Sequence, residues 1–482
     1  MDFKFKMMGK IVFAMMALVA ISFTACSDDD NGPVIPEATC SDGQRNGSET
    51  GIDCGGPDCE PCTDADPDSD PNPEPSGAIT VSDNITTDTD WTADTIYTLE
   101  GRIFVESGAT LTIAPGTIIK GASGSGANAS VLIVSKGAMI NAAGTAEEPI
   151  ILTSVEDNIE IGQTAGTNLD QNDTGKWGGL IILGNAPVSL DGDAESALIE
   201  GLPTDTDNED LGSYGGKDPT DNSGTLQYVS IRHGGIALSE GNEINGLTMG
   251  GVGNGTTVDH IEVVGNKDDG IEFFGGTVDA SSLFVWAQED DAIDIDQAYS
   301  GTIDNVYVVL GGTSDHAFEI DGPEGSLAGS FTLTNATLVG NADNAEGGEL
   351  ADYRSGATGI TSNIYVIGFP EGKDVELDNN QVAQNWLAGL DNPDADNALI
   401  FEAWEVVGFG NEIFIESVGC IENCNDDDNE NDVKEKPILS DPTFTEAAAD
   451  WTATVEAGAQ TVGATASEFS WTYSNTKAGL GL

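Results

Sequence analysis

Residues 254–322 repeat themselves, and a repeat of this kind leaves a chain few folds to choose from. Lys267-Asp268-Asp269-Gly270-Ile271-Glu272-Phe273 recurs as Glu289-Asp290-Asp291-Ala292-Ile293-Asp294-Ile295. It returns more loosely as Asp315-His316-Ala317-Phe318-Glu319-Ile320. The acids Glu272, Asp294 and Glu319 lie 22 and then 25 residues apart, and a β-rich run (HIEVV, SLFVW, NVYVV) precedes each copy. A period in the twenties, built from short strands and turns, marks a parallel β-solenoid with one coil per repeat.

The coils extend both ways from this stretch. Upstream, Arg102–Glu106, Ala109–Ile113, Thr117–Lys120 and Val131–Val134 are short, β-branched runs bounded by Gly, Pro or Asn. Alternation turns Leu111 and Ile113 inward, and Pro115-Gly116 turns a corner. Downstream, Asn305, Asn335 and Asn363 each precede an apolar-x-apolar strand, so stacked coils place them in an internal asparagine ladder. Glu156–Thr174 and Asp191–Gly224 are polar insertions, read equally as one loop face of the solenoid or as loose decoration. A short helix is expected near Asn380–Leu390. The fold class is all-β, and a parallel crossover within one sheet makes the β-helix right-handed. The solenoid is placed at 78–440 and a C-terminal cover at 441–482.

The 482 residues hold 83 Asp and Glu against 16 Lys and Arg, a net charge of −67. Such a field repels nucleic acid, which excludes that class of partner. It attracts cations, and calcium is the one best suited to clustered carboxylates. The plainer reading is that the charge keeps an extracellular protein soluble.

The N-terminus sets the compartment. Residues 1–25 have a basic start, an apolar run and small residues before Cys26, which is a secretory signal. Phe23-Thr24-Ala25-Cys26 resembles a bacterial lipobox, which implies lipidation at Cys26 and anchoring to the outer membrane at the cell surface. Ser27-Asp28-Asp29-Asp30 resembles the export tag of surface lipoproteins of Bacteroidota. Residues 26–39 then form an acidic tether. Cys40, Cys54, Cys59 and Cys62 make a small module at 40–62, expected to hold two disulfides of open connectivity; zinc is the weaker reading. Residues 63–77 are a Pro/Asp spacer. Cys420 and Cys424 are expected to pair locally.

The candidate site comes from alternation along the repeat. In Ile293-Asp294-Ile295-Asp296 and Phe318-Glu319-Ile320-Asp321 the apolar residues point inward and the acids outward. Coils about 4.8 Å apart then bring Asp294, Asp296, Glu319 and Asp321 into an exposed square, with Glu272 above it and Phe274 beside it. Three readings compete: a calcium- or glycan-binding surface, a polysaccharide-degrading active site, and solvated decoration.

The enzyme reading rests on Glu289-Asp290-Asp291, which resembles the paired aspartates of polygalacturonase-like glycoside hydrolases. That resemblance implies Asp290 and Asp291 as catalytic carboxylates, and the carboxylate square adds Asp294 and Glu319 as candidates for the same alternative. The family's His-Gly and Arg-x-Lys elements do not follow: Ala317 comes after His316, and Ser355-Gly356 after Arg354. Taken whole, NGLTMGGVGNGT, DDGIEFFGGTV and EDDAIDIDQAYSG resemble a family of outer-membrane β-helix lipoproteins of Bacteroidota, similar to a leptospiral surface lipoprotein and of pectin-lyase-like fold. The resemblance spans about Leu226 to Phe369 and implies fold and location, with no transferable catalytic residues. The sequence therefore reads as a non-catalytic surface module that binds an extracellular polysaccharide or another surface partner, with calcium as a stabiliser; a lyase or hydrolase is the alternative.

Overall fold

Runs of Ile, Val and Leu only four to nine residues long cannot bury themselves alone, but stacked coil on coil they form a continuous core. A computed structural model describes residues 77–200, 202, 210–236, 244–342, 348–416, 420–422, 433–434 and 441–482. It is a right-handed parallel β-helix. Each regular coil gives one short strand to a 10-stranded sheet and one long strand to a 15-stranded sheet. The short sheet runs in chain order, without a crossing, from Arg102–Val105 to Phe414–Glu416.

The long strands each cover two faces because they bend. Gly224–Arg232 pairs through its first half with Met139–Ala143 and through its second with Ile150–Ser154. The bend is a left-handed residue, and these residues stack in one column: Tyr228, His260, Ser282, Asn305, Asn335, Asn363 and Ala403, with φ from 49° to 62°. Asparagine tolerates this conformation better than other non-glycine residues. Asn363 Nδ2 donates to Asn335 Oδ1 at 3.1 Å, one rung of the expected ladder. The ladder stops there. Asn335 turns to Asp304, and Asn305 Oδ1 accepts the backbone N–H of Thr465.

Inside the coil, Ile271, Ile293, Phe318, Ala351, Val375 and Phe414 stack in register and are wholly buried. The described parts of the insertions pack as parts of the fold. Val188, Leu190, Ile199 and Tyr214 lie over Phe104, Ile133, Ile181 and Phe274 on the outer face of the short sheet. The helix Asn380–Asp391 is present, capped by the Asn379 side chain, and Trp386 packs on Phe444.

The C-terminal residues do not all lie at the end of the stack. Thr452–Val455 forms the last strand beside Leu399–Val407, and Phe444 and Trp451 pack on Phe401 and Phe414 there. Beyond Val455 the chain turns back along the flank of the long sheet. It bonds Glu405, Asn363, Thr337 and Asn305 in turn, then reaches Glu262 and Leu169. Cys26, Cys40, Cys54, Cys59, Cys62 and Cys424 lie outside the described residues, as do the signal and tether. Cys420 opens the strand Cys420–Glu422, paired with Val433–Lys434.

Candidate functional site

One outward column of the short sheet changes character along its length. Its register reads Phe104, Ile133, Ile181, Thr248, Glu272, Asp294, Glu319, Asp352, Glu376, Ile415. The apolar part lies under the insertion. The acidic part is five consecutive rungs about 4.8 Å apart. A second column beside it runs Phe274, Asp296, Asp321, Arg354 and Asp378, where the last three join through backbone bonds to Ile295, Ile320 and Tyr353. Glu272, Asp294, Asp296, Glu319 and Asp321 are thus brought together.

They are not an exposed square. Glu272 is 5% and Glu319 8% exposed, and Asp294, Asp296 and Asp321 are half-buried. The reason is cover from elements whose position alternation cannot reveal. Glu200 of the insertion, Gly322–Glu324 and Arg354 wall an open groove of about 470 Å³ over Glu272, Phe274, Asp294, Asp296 and Asp321. Tyr214 Oη donates to Gln297, whose amide donates to Glu324, and this ties the two walls together.

Among the described residues Arg354, His316 and Lys373 enter the acidic field, Lys373 Nζ lying 3.7 Å from Glu349. The Arg354 guanidinium bonds both Glu319 and Asp321, with Nε 2.6 Å from the latter. His316 Nδ1 lies 2.8 Å from Asp291 Oδ1, 3.8 Å from Asp315 and 3.9 Å from Glu319. Burial opposes charge on His316, but the Asp291 bond and the surrounding carboxylates outweigh it and push its pKa up to about 9. Burial, with carboxylate neighbours adding, pushes Asp296 up to about 7 and Asp352 to about 8. Burial likewise pushes Asp321 to about 6 and Asp374 to about 7.

The paired aspartates of the repeat part company. Asp291 is 3% exposed and accepts from both the backbone and the ring of His316. Asp290 lies exposed at the coil corner, among Asp268, Glu289 and Asp315. Arg232 and His233 are buried on the other side of the coil, Arg232 under Tyr473 of the returning C-terminal segment and His233 against residues 173–176. Arg232 pairs with Glu262, and His233 meets the carbonyl of Asp173. His260 stacks on Tyr228, bonds Glu468 through Nε2 and holds Nδ1 2.8 Å from the Asp259 carboxylate.

Sequence reasoning did not place Asp269, Asp352, Asp374, Glu376, Asp378, His316 or Arg354 in this site. A signal existed for two of them. Ala351-Asp352-Tyr353 and Val375-Glu376-Leu377 repeat the apolar-acid-apolar triplet of Phe318-Glu319-Ile320. Several carboxylate sets have one oxygen from each member within 4.8 Å of the others: Asp294 with Glu319 and Asp321; Asp269 with Glu272 and Asp294; and Glu349 with Asp374 and Glu376. Such spacing suits a hard cation held by oxygen ligands.

Stacked parallel coils, an αL corner column and a carboxylate-lined sheet face define a parallel β-helix protein. The chain belongs to the family described as the pectate-lyase-like β-helix domain, whose model matches residues 83–398, more than half its length. No curated protein matches it, and no solved structure does. Among the described residues no helix is long and apolar enough to cross a membrane.

Proposed function

We propose that this chain is a surface-exposed, lipid-anchored outer-membrane protein whose β-helix is a non-catalytic binding module for an extracellular glycan, with calcium as a stabilising cation. The observation that carries the binding reading is the walled groove on the short sheet. Its carboxylates accept bonds from sugar hydroxyls, and Arg354, locked by Glu319 and Asp321, presents a fixed cationic edge. The family's description as pectate-lyase-like points to polysaccharide as the ligand class.

The carboxylate spacing disfavours an inverting hydrolase but not a retaining one, whose two carboxyls lie about 5–5.5 Å apart. The nearest oxygens of Asp294, Glu319 and Asp321 lie within 4.8 Å. An inverting hydrolase separates its two carboxyls by about 6.5–9.5 Å to admit a water. Arg354, engaged by two carboxylates, is poorly placed to abstract a proton. One observation favours the enzyme alternative: Asp296 and Asp321, near 7 and 6, are poised to transfer protons close to neutrality.

A glycan array probed with the mature chain in calcium tests the reading. Saturable binding that Arg354→Ala abolishes supports it, and no retention of any glycan sinks it. Reducing-end release, or 235 nm absorbance, from acidic polysaccharides supports the enzyme, and full activity of Asp294→Asn/Glu319→Gln removes this face as its site. The anchor is tested separately: globomycin or Cys26→Ala leaves unprocessed precursor if Cys26 is lipidated.

A further inference from the structure

The groove over the short sheet offers acceptors and few donors. Six carboxylates line it: Glu200, Glu272, Asp294, Asp296, Asp321 and Glu324. An ionised carboxylate only accepts hydrogen bonds. The Arg354 guanidinium at its edge is already bonded by Glu319 and Asp321, so it meets a neutral hydroxyl but has no charge left to balance an acid. His316 and Lys373, further along the same face, lie against Asp291 and Glu349.

The second observation is that these acceptors are underused. Glu272, 5% exposed, accepts from the Asn245 amide through Oε2, and its Oε1 has no such bond among the described residues. Asp294 Oδ1 is sealed from solvent and accepts no hydrogen bond. A buried acceptor without a donor is costly, so the groove calls for a ligand rich in donors. The floor is also closed to main-chain pairing. It is the outer face of a sheet whose backbone already pairs rung to rung, Glu272 with Asp294 and Asp294 with Glu319. An extended peptide laid there finds no sheet edge for its own backbone, whereas sugar hydroxyls donate to the carboxylates directly.

We propose that the groove takes a polysaccharide of cationic amino sugars, its free ammonium groups set among Glu200, Asp296, Asp321 and Glu324 and its hydroxyls on the remaining carboxylates. This rests on the glycan-binding reading above and gives that ligand a charge. A uronate chain is the wrong partner for this surface. It brings more acceptors and more negative charge to six carboxylates, on a chain of net charge −67. A sugar ammonium supplies what the groove lacks, because it carries three donors, no acceptor and a positive charge. Its bonds to carboxylates are charge-assisted and stronger than those of a neutral amide. N-acetylation leaves the sugar ring in place but removes the charge and all but one donor, so it isolates the feature that the groove selects.

The test is calorimetric titration of the mature chain at pH 6, in EDTA so that no metal ion bridges an acidic sugar to the groove. The probes are glucosamine oligomers, the same oligomers N-acetylated, oligogalacturonate and tetralysine. The glucosamine chain should bind at least about tenfold tighter than its N-acetylated form and weaken with added salt, and oligogalacturonate should not bind. Glu200→Gln/Glu324→Gln, both exposed on the walls, should lose most of that preference. If the N-acetylated or the uronate chain binds as tightly as the glucosamine chain, charge selection is overturned while the glycan reading stands. If no glycan binds here or on the array, that reading falls and this one with it. Tetralysine binding as tightly as the glucosamine chain would show recognition of charge without sugar and overturn the proposal. A double variant that keeps the full preference would place the ammonium outside this groove. Should the double variant fail to fold, Glu200→Gln alone decides, and an undiminished preference overturns the assignment.

Discussion

Arg354 reaches back one coil and closes on Asp321, its Nε donating to the carboxylate at 2.6 Å while its Nη2 bonds Glu319. A single guanidinium thus screens both columns of one rung in the acidic part of the sheet face. Its side chain is 40% exposed, so solvent already moderates the pair. Arg354→Met should cost about 1–3 kcal/mol at pH 8. The cost should shrink at pH 5, below the value of about 6 to which burial raises Asp321, because a protonated partner needs no counter-charge. Urea melts at the two pH values measure the difference, and an equal loss at both would count against Arg354 as the screening charge.

The whole acidic face should make the cation-free protein lose stability as pH rises. In the unfolded chain these carboxyls ionise near pH 4 and His316 near 6.5. In the folded chain Asp321, Asp296, Asp374 and Asp352 hold protons up to about 6, 7, 7 and 8, and His316 up to about 9. Between those limits the native state binds more protons than the unfolded one, so stability is fully present at low pH and drains away through pH 5 to 9. Each proton so linked contributes a slope of about 1.4 kcal/mol per pH unit. Melts in EDTA should therefore fall monotonically across that range. A flat or rising profile would show that the carboxylates ionise without penalty.

The αL corner column gives a prediction independent of the acids. Asn335 has φ of 58°, donates to Asp304 and accepts from Asn363. Alanine loses both bonds and adds left-handed strain of about 1–2 kcal/mol, whereas glycine loses the bonds alone. Stability by chemical denaturation should rank wild type above Asn335→Gly above Asn335→Ala. Equal losses for the two variants would mean that the bend itself is unstrained.

The coil was legible because its signals are local. Ile271, Ile293 and Phe318 alternate with Glu272, Asp294 and Glu319, and a fixed spacing sets their register. Asp352 escaped because it lies 33 residues after Glu319 rather than 22 or 25, the interval being stretched by the intervening loops. Arg354 escaped because its role depends on stacking against the previous coil, and nothing in Arg354-Ser355-Gly356 itself announces that contact. The burial of Glu272 was invisible for a related reason. It depends on Val188, Leu190, Ile199, Glu200 and Tyr214 folding over the short sheet, a tertiary event with no periodic signature. The path of the C-terminal segment was hidden in the same way, since Trp471 and Tyr473 fit the end of a stack as well as its flank.

That segment should be held by one carboxylate. Glu262, wholly buried, accepts the backbone N–H groups of Tyr473 and Ser474 at 3.2 and 2.8 Å and the Ser474 hydroxyl at 2.7 Å. It also faces Arg232 at 3.9 Å, whose guanidinium lies 4.3 Å over the Tyr473 ring. Glu262→Ala leaves a buried guanidinium without its carboxylate and four donors, the Ser230 hydroxyl among them, without that acceptor, a combination expected to cost about 3–5 kcal/mol. Relief is available by releasing the segment rather than unfolding the coils, because Phe469 and Tyr473 are its main apolar contacts with Val264, Phe284 and Trp286. The variant should therefore become cleavable by trypsin at Lys477 and bind a hydrophobic dye through the uncovered Phe284 and Trp286, while the parallel sheets keep their far-ultraviolet signature. Resistance at Lys477 equal to wild type would show that the apolar contacts alone secure the strap.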